Sequence, residues 1–167
     1  MAKKKKTTRK KAAPPAPQHS LPSGFWSQVG AVLMIVLSLL LIVAWFGVGG
    51  PVLEWLNAQM LKLLGYAMYA LPVLLVYLAV GTFRAEGNKL PLVVKFAATL
   101  EVIWLSGLFG LLKTAARPET GGFVGDVANQ AMLAMVDSAI GALIYLVLIF
   151  ITALFITQTS PFAVFDK

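Results

Sequence analysis

Few of the 167 residues could perform chemistry, and they do not assemble into a reactive set. Cysteine is absent, so no disulfide, thiolate metal ligand or cysteine nucleophile is available. His19 is the only histidine, which leaves a Ser-His pair or a histidine metal site without its parts. Neither a Gly-x-x-x-x-Gly-Lys-Ser/Thr phosphate loop nor a Gly-x-Ser-x-Gly nucleophile turn occurs. No catalytic, cofactor-binding or metal-ligating residue is therefore assigned. The residue that stands out is Glu101, an acid inside the apolar stretch Leu92 to Leu112. A carboxylate at mid-bilayer costs about 2.5–3.5 kcal/mol on insertion scales and is a functional candidate by default. It could take up a proton, pair with a base, or hydrogen-bond between helices. Lys95 precedes it by six residues, roughly 120° round a helix, so a direct pair is not expected and Lys95 is placed to snorkel to the headgroups. A structural carboxyl, hydrogen-bonded within the bundle or between subunits, is preferred to proton translocation.

The elements that would position Glu101 follow from composition. Hydrophobic residues make up 59% of the chain and charged residues 13%. Soluble domains are about 45–50% apolar, and a chain of this length could not hide the excess in a water-surrounded core. Lipid is the expected solvent, and a water-soluble enzyme is excluded. The net charge of +7 belongs to Lys3, Lys4, Lys5, Lys6, Arg9, Lys10 and Lys11; the rest of the chain is balanced. Ala12-Ala13-Pro14-Pro15-Ala16-Pro17 follows as an extended spacer. Residues 1–24 read as a basic, Pro-rich, disordered cytoplasmic tail. Setting topology and touching anionic lipid are its favoured roles, with DNA phosphate contact as the alternative.

Four apolar runs are long enough to cross a bilayer, predicting transmembrane helices near 26–46, 63–83, 92–112 and 138–157. The first is too long for a cleaved signal peptide and reads as a retained anchor. Lys and Arg concentrate in the tail and in the short middle loop, at Arg84 and Lys89, so both termini are expected in the cytoplasm. Trp26, Trp45, Trp55 and Trp104 fall near the ends of spans or in a loop, as an aromatic belt would. Pro72 lies inside the second span and is expected to remove a hydrogen bond and bend it. Residues 25–160 form the four-span domain, and 161–167 begin a cytoplasmic linker.

The two external loops carry helical patterns. Glu54, Asn57 and Lys62 share one face in the first, and Asp126, Asn129, Gln130 and Asp137 fall at helical spacing in the second. Each predicts a short amphipathic helix at the outer membrane surface, with a simple extension of the next span as the alternative. The halves also resemble each other. A shift of 72 residues places Gly49-Gly50-Pro51-Val52 on Gly121-Gly122-Phe123-Val124 and Asn57 on Asn129, which predicts a tandem two-span repeat whose copies point the same way. Gly49, Gly50, Gly121 and Gly122 would supply the turns between span and surface helix. Gly121 with Gly125, and Ser138 with Ala142, are small-xxx-small pairs suited to close helix approach, and Gly141 is assigned to packing.

The lysine-rich start, the four spans, the Gly49-Gly50 and Gly121-Gly122-Phe123-Val124-Gly125 turns, Leu64-Gly65-Tyr66-Ala67-Met68-Tyr69-Ala70-Leu71-Pro72, and Ala139-Ile140-Gly141-Ala142-Leu143-Ile144 resemble the N-terminal membrane domain of FtsK/SpoIIIE-type DNA translocases over about residues 24–160. The resemblance implies an all-α, four-helix membrane anchor in the cell (inner) membrane at the division septum. That anchor would be homo-oligomeric, in contact with divisome membrane proteins, and joined to a cytoplasmic ATPase that pumps DNA during chromosome segregation. DNA would be reached only through that motor. The sequence ends at Lys167 before a motor is reached, so the chain is expected to be a fragment or a stand-alone relative. Glu101 and Asp137 stand where the family pattern suggests apolar or small residues, so no role passes to them. Two rival readings are a small transporter or channel subunit using Glu101, and a pore-forming lysis protein.

Overall fold

The computed structural model describes residues 24–85 and 90–158. The basic tail up to Ser23, Lys89 of the middle loop and the expected linker 161–167 lie outside the described residues. The elements among the described residues are α1 Phe25–Trp45, α2 Pro51–Leu64, a 3₁₀ segment Gly65–Ala70, α3 Leu71–Arg84, α4 Leu92–Leu111, α5 Gly122–Leu133 and α6 Ser138–Thr157. The order span, short helix, span thus occurs twice.

Among the described residues, four helical runs have the length and hydropathy to cross a bilayer. At 1.5 Å per residue, α1, α4 and α6 are each about 30 Å long, the thickness of the hydrocarbon core. The second run, Pro51–Arg84, has 34 residues and would measure about 51 Å if straight. It is not one rod. Gly65 takes φ 60° and ψ −143°, outside the helical region, and ends α2. The membrane-crossing part then starts at Gly65. Six 3₁₀ residues at about 2.0 Å and fourteen α residues give roughly 33 Å, again a bilayer core. Both short helices are therefore separate from the spans that follow, α2 through Gly65 and α5 through residues 134–137.

The 3₁₀ segment explains how Pro72 is accommodated. Proline has no N–H, so Met68 C=O would lose its usual i+4 donor. In 3₁₀ geometry the Leu71 N–H serves that carbonyl instead. Pro72 then sits in the first turn of α3, where an N–H is not required. The expected mid-span bend is replaced by a change of helix type just before the proline. The Pro72 carbonyl in turn accepts a hydrogen bond from the buried Ser38 hydroxyl of α1, at 3.1 Å.

Packing is what lipid favours. α1 pairs with α3, and α4 with α6. Small residues recur among the buried positions, Ala31, Ser38 and Ala44 on α1, Ala79 and Thr82 on α3, Ala97 and Ala98 on α4, Gly141 and Thr152 on α6, alongside the larger Leu41, Tyr145 and Ile156. Large apolar side chains such as Leu33, Leu39, Val73, Phe96, Leu143 and Phe150 face outward. Lipid offers no penalty for exposing them, so close backbone approach and dispersion decide which face turns inward.

Three sequence expectations shift. Asn129, expected on the polar face of a surface helix, is buried at 8% exposure because α5 turns that position onto α4. Trp104 lies within α4, packed on Tyr145 with ring centroids 6.3 Å apart, rather than at a helix end. Ser138 is exposed, so the Ser138/Ala142 pair makes no close helix contact within this chain.

Candidate functional site

The two helix pairs touch only slightly along the spans, where Leu74 and Leu78 of α3 meet Ala97, Ala98 and Ile156. Most of the connection lies at one end of the bundle, where the 3₁₀ segment and α2 meet α4 and α5. Glycines make that junction possible. A Cβ on Gly65 would lie 2.1 Å from Thr120 O, and one on Gly122 2.4 Å from Gly65 N; both residues also have φ near +60°, which L side chains rarely adopt. A Cβ on Gly121 would come within 2.4 Å of Gly110 Cα, and one on Gly125 within 2.2 Å of Ser106 O. These obstacles are backbone atoms, which cannot rotate aside.

Hydrogen bonds then exploit the approach. A helix end leaves carbonyls without intrahelical donors. Leu64 O, at the end of α2, is taken by the Ser106 hydroxyl of α4 at 3.0 Å. Tyr66 N–H, freed by the break at Gly65, donates to Thr120 O at 2.8 Å. Asn129 Nδ2 donates to Gly107 O at 3.0 Å, pinning α5 to α4. On the rim, Lys113 Nζ reaches both Asp126 carboxylate oxygens, at 2.9 and 2.8 Å. That pair is roughly half exposed, so solvent screening leaves it at most about 1 kcal/mol. Gly107 has a further role: the fully buried Tyr145 ring lies where its Cβ would be, 2.5 Å from Cζ.

The residues singled out from sequence distribute as follows. Gly121, Gly122 and Gly125 come together in the junction. Gly121 itself has φ −96° and is required for contact rather than for a turn. Gly49 and Gly50 lie outside the junction, in the connection before α2, with φ 110° and 81°. Gly141 packs α6 near Met132, at a looser 3.2 Å. Glu101 is buried in α4 and receives a hydrogen bond from the Thr152 hydroxyl of α6. Thr152 also lies 2.8 Å from Leu148 O, so one hydroxyl proton serves competing acceptors. Lys95 is exposed. Ser106, Gly107, Gly110 and Tyr145 carry no sequence expectation, and Gly65 enters only as part of the Leu64–Pro72 run. Ser106 and Gly110 form a small-xxx-small pair that matches Gly121 and Gly125, and this spacing was the available signal.

Among the described residues, no group of three or more His, Cys, Asp or Glu side chains comes together. What the arrangement offers is close packing and hydrogen bonding, suited to holding two helix pairs at a fixed geometry. No curated protein and no solved structure matches the chain. A family match does exist, to the 4TM region of DNA translocase FtsK/SpoIIIE, over residues 45–167. It starts at the last residue of α1 and takes in the whole junction, Glu101 and Thr152. Covering well over half of the sequence, on an all-α architecture with four membrane-length helical runs, it establishes that this multi-pass membrane chain belongs to the family of FtsK/SpoIIIE four-transmembrane regions.

Proposed function

We propose that this chain is the anchor and oligomerisation domain of a DNA translocase, holding it at the division septum during chromosome segregation. The family match over residues 45–167 carries the reading. The chain itself performs no reaction; it tethers and positions. DNA is handled by an ATPase motor, whose phosphate loop these 167 residues do not contain. An even number of crossings, with Lys and Arg concentrated in residues 1–24 and the middle loop, supports a cytoplasmic side for both termini. Homo-oligomers and divisome membrane proteins are its partners. Gly121, Gly122 and Gly125 fix the two helix pairs, Gly49 and Gly50 turn the chain into α2, and Gly141 allows α6 to pack. The bond between Glu101 and Thr152 supports a tie between α4 and α6 over a pore-lining acid. A fluorescent fusion of residues 1–167 should gather at midcell in dividing cells. Uniform membrane fluorescence would refute septal anchoring.

A further inference from the structure

Beside the junction, between the end of α4 and the start of α5, lies a cavity of about 390 Å³. Its walls are Tyr66, Phe109, Leu112, Thr114, Arg117 and Thr120. Thr120 is 3% exposed, and although its carbonyl serves Tyr66, its Oγ1 is buried with no hydrogen-bond partner. A buried hydroxyl without a partner is costly and calls for one. Arg117 forms no ion pair among the described residues. No wall residue is acidic; Glu119 is exposed and stands outside the lining. Thr120 precedes Gly121, the N-cap of α5, a helix with neither a side-chain cap nor an acidic residue in its first turn. The rings of Tyr66 and Phe109, 6.2 Å apart and edge to face, give the same cavity an apolar wall.

We infer that this cavity is a binding site for a phosphate-type anion, with Arg117 and Thr120 as its donors. The site lies where α4 ends, after about 30 Å of membrane-length helix, at the height of lipid headgroups. A cation, a hydroxyl and an apolar wall together suit an anionic phospholipid, with its phosphate at Arg117 and its glycerol and upper acyl carbons against the rings. Free phosphate shares the recognised chemistry.

The test uses the full chain in phosphatidylcholine nanodiscs doped with phosphatidylglycerol, with retained lipid counted by native mass spectrometry. Phosphatidylglycerol should be retained over phosphatidylcholine. Arg117→Gln and Thr120→Val should each weaken that retention about tenfold, while Thr120→Ser should restore it. Arg84→Gln, which removes a charge at the opposite end, should change nothing. A second arm adds inorganic phosphate to undoped discs. A thermal shift present in the wild type and lost in Arg117→Gln assigns the same donors to the free anion. Wild-type retention in both Arg117→Gln and Thr120→Val, without a phosphate-induced shift, overturns the site. So does an equal loss in Arg84→Gln, which would mean diffuse charge attraction.

Discussion

Replacing Gly125 by alanine is the sharpest perturbation of the junction. The new Cβ would lie 2.2 Å from Ser106 O and 2.8 Å from Ser106 C. Both are backbone atoms of α4, so the strain cannot be relieved by a side-chain rotation. Reaching an ordinary contact requires α5 to retreat by about 1 Å. The bond from Asn129 to Gly107 O, now 3.0 Å, would then stretch beyond hydrogen-bonding range. Overpacking costs about 1–3 kcal/mol, and a lost interhelical hydrogen bond in a membrane about 0.6–1.7. The sum is a destabilisation of about 2–5 kcal/mol. Two other glycines calibrate it. At Gly141 the nearest obstacle is Met132 Cγ at 3.2 Å, on a flexible side chain, so Gly141→Ala should cost less than about 1 kcal/mol. At Gly30 nothing lies within 4 Å, and Gly30→Ala should be neutral or stabilising through helix propensity. Unfolding of the three variants in one detergent, followed by circular dichroism, should rank them in that order. A Gly125→Ala protein as stable as Gly30→Ala would refute the reasoning.

Gly65→Ala meets both a backbone clash and a left-handed φ, so it should destabilise at least as much as Gly125→Ala in the same melts. A double-mutant cycle of Glu101→Leu and Thr152→Val should return a coupling of about 0.6–1.7 kcal/mol, and zero coupling would dissolve the proposed tie. Ser106→Ala, which abandons Leu64 O at the end of α2, should cost about 1 kcal/mol and raise hydrogen exchange at the 3₁₀ segment. Lys113→Met should shift stability by less than about 1 kcal/mol, and the shift should shrink further in high salt, because the pair with Asp126 is half exposed.

The spans were legible because hydropathy is a local property. α1, α4 and α6 lie within one residue of the expected bounds at each end. The acid at 101 was also visible, as a charge in an apolar run, but its partner Thr152 was not. Threonine in a membrane helix commonly bonds its own carbonyls, as Thr82 does with Leu78 O, so the type alone predicts nothing. The junction was half legible. Gly121 and Gly125 announced a close approach but not the surface approached, since the matching Ser106 and Gly110 lie across a loop on α4. Gly65 was hidden in an otherwise continuous apolar run; its need for glycine comes from Thr120 and Gly122, more than fifty residues away. Asn129 was misplaced for a related reason: a polar residue on a short helix reads as solvent-facing unless a carbonyl is known to wait beneath it.

Topology mapping addresses the four-crossing architecture most directly, and the chain's lack of cysteine makes it clean. Single cysteines at Ser20, Val48, Ala116 and Gln158 would be probed in sealed, oriented vesicles with a membrane-impermeant maleimide. Four crossings require Ser20→Cys and Gln158→Cys to label from one face, and Val48→Cys and Ala116→Cys from the other. Labelling of Ser20→Cys and Gln158→Cys from opposite faces would mean an odd number of crossings and would contradict the account.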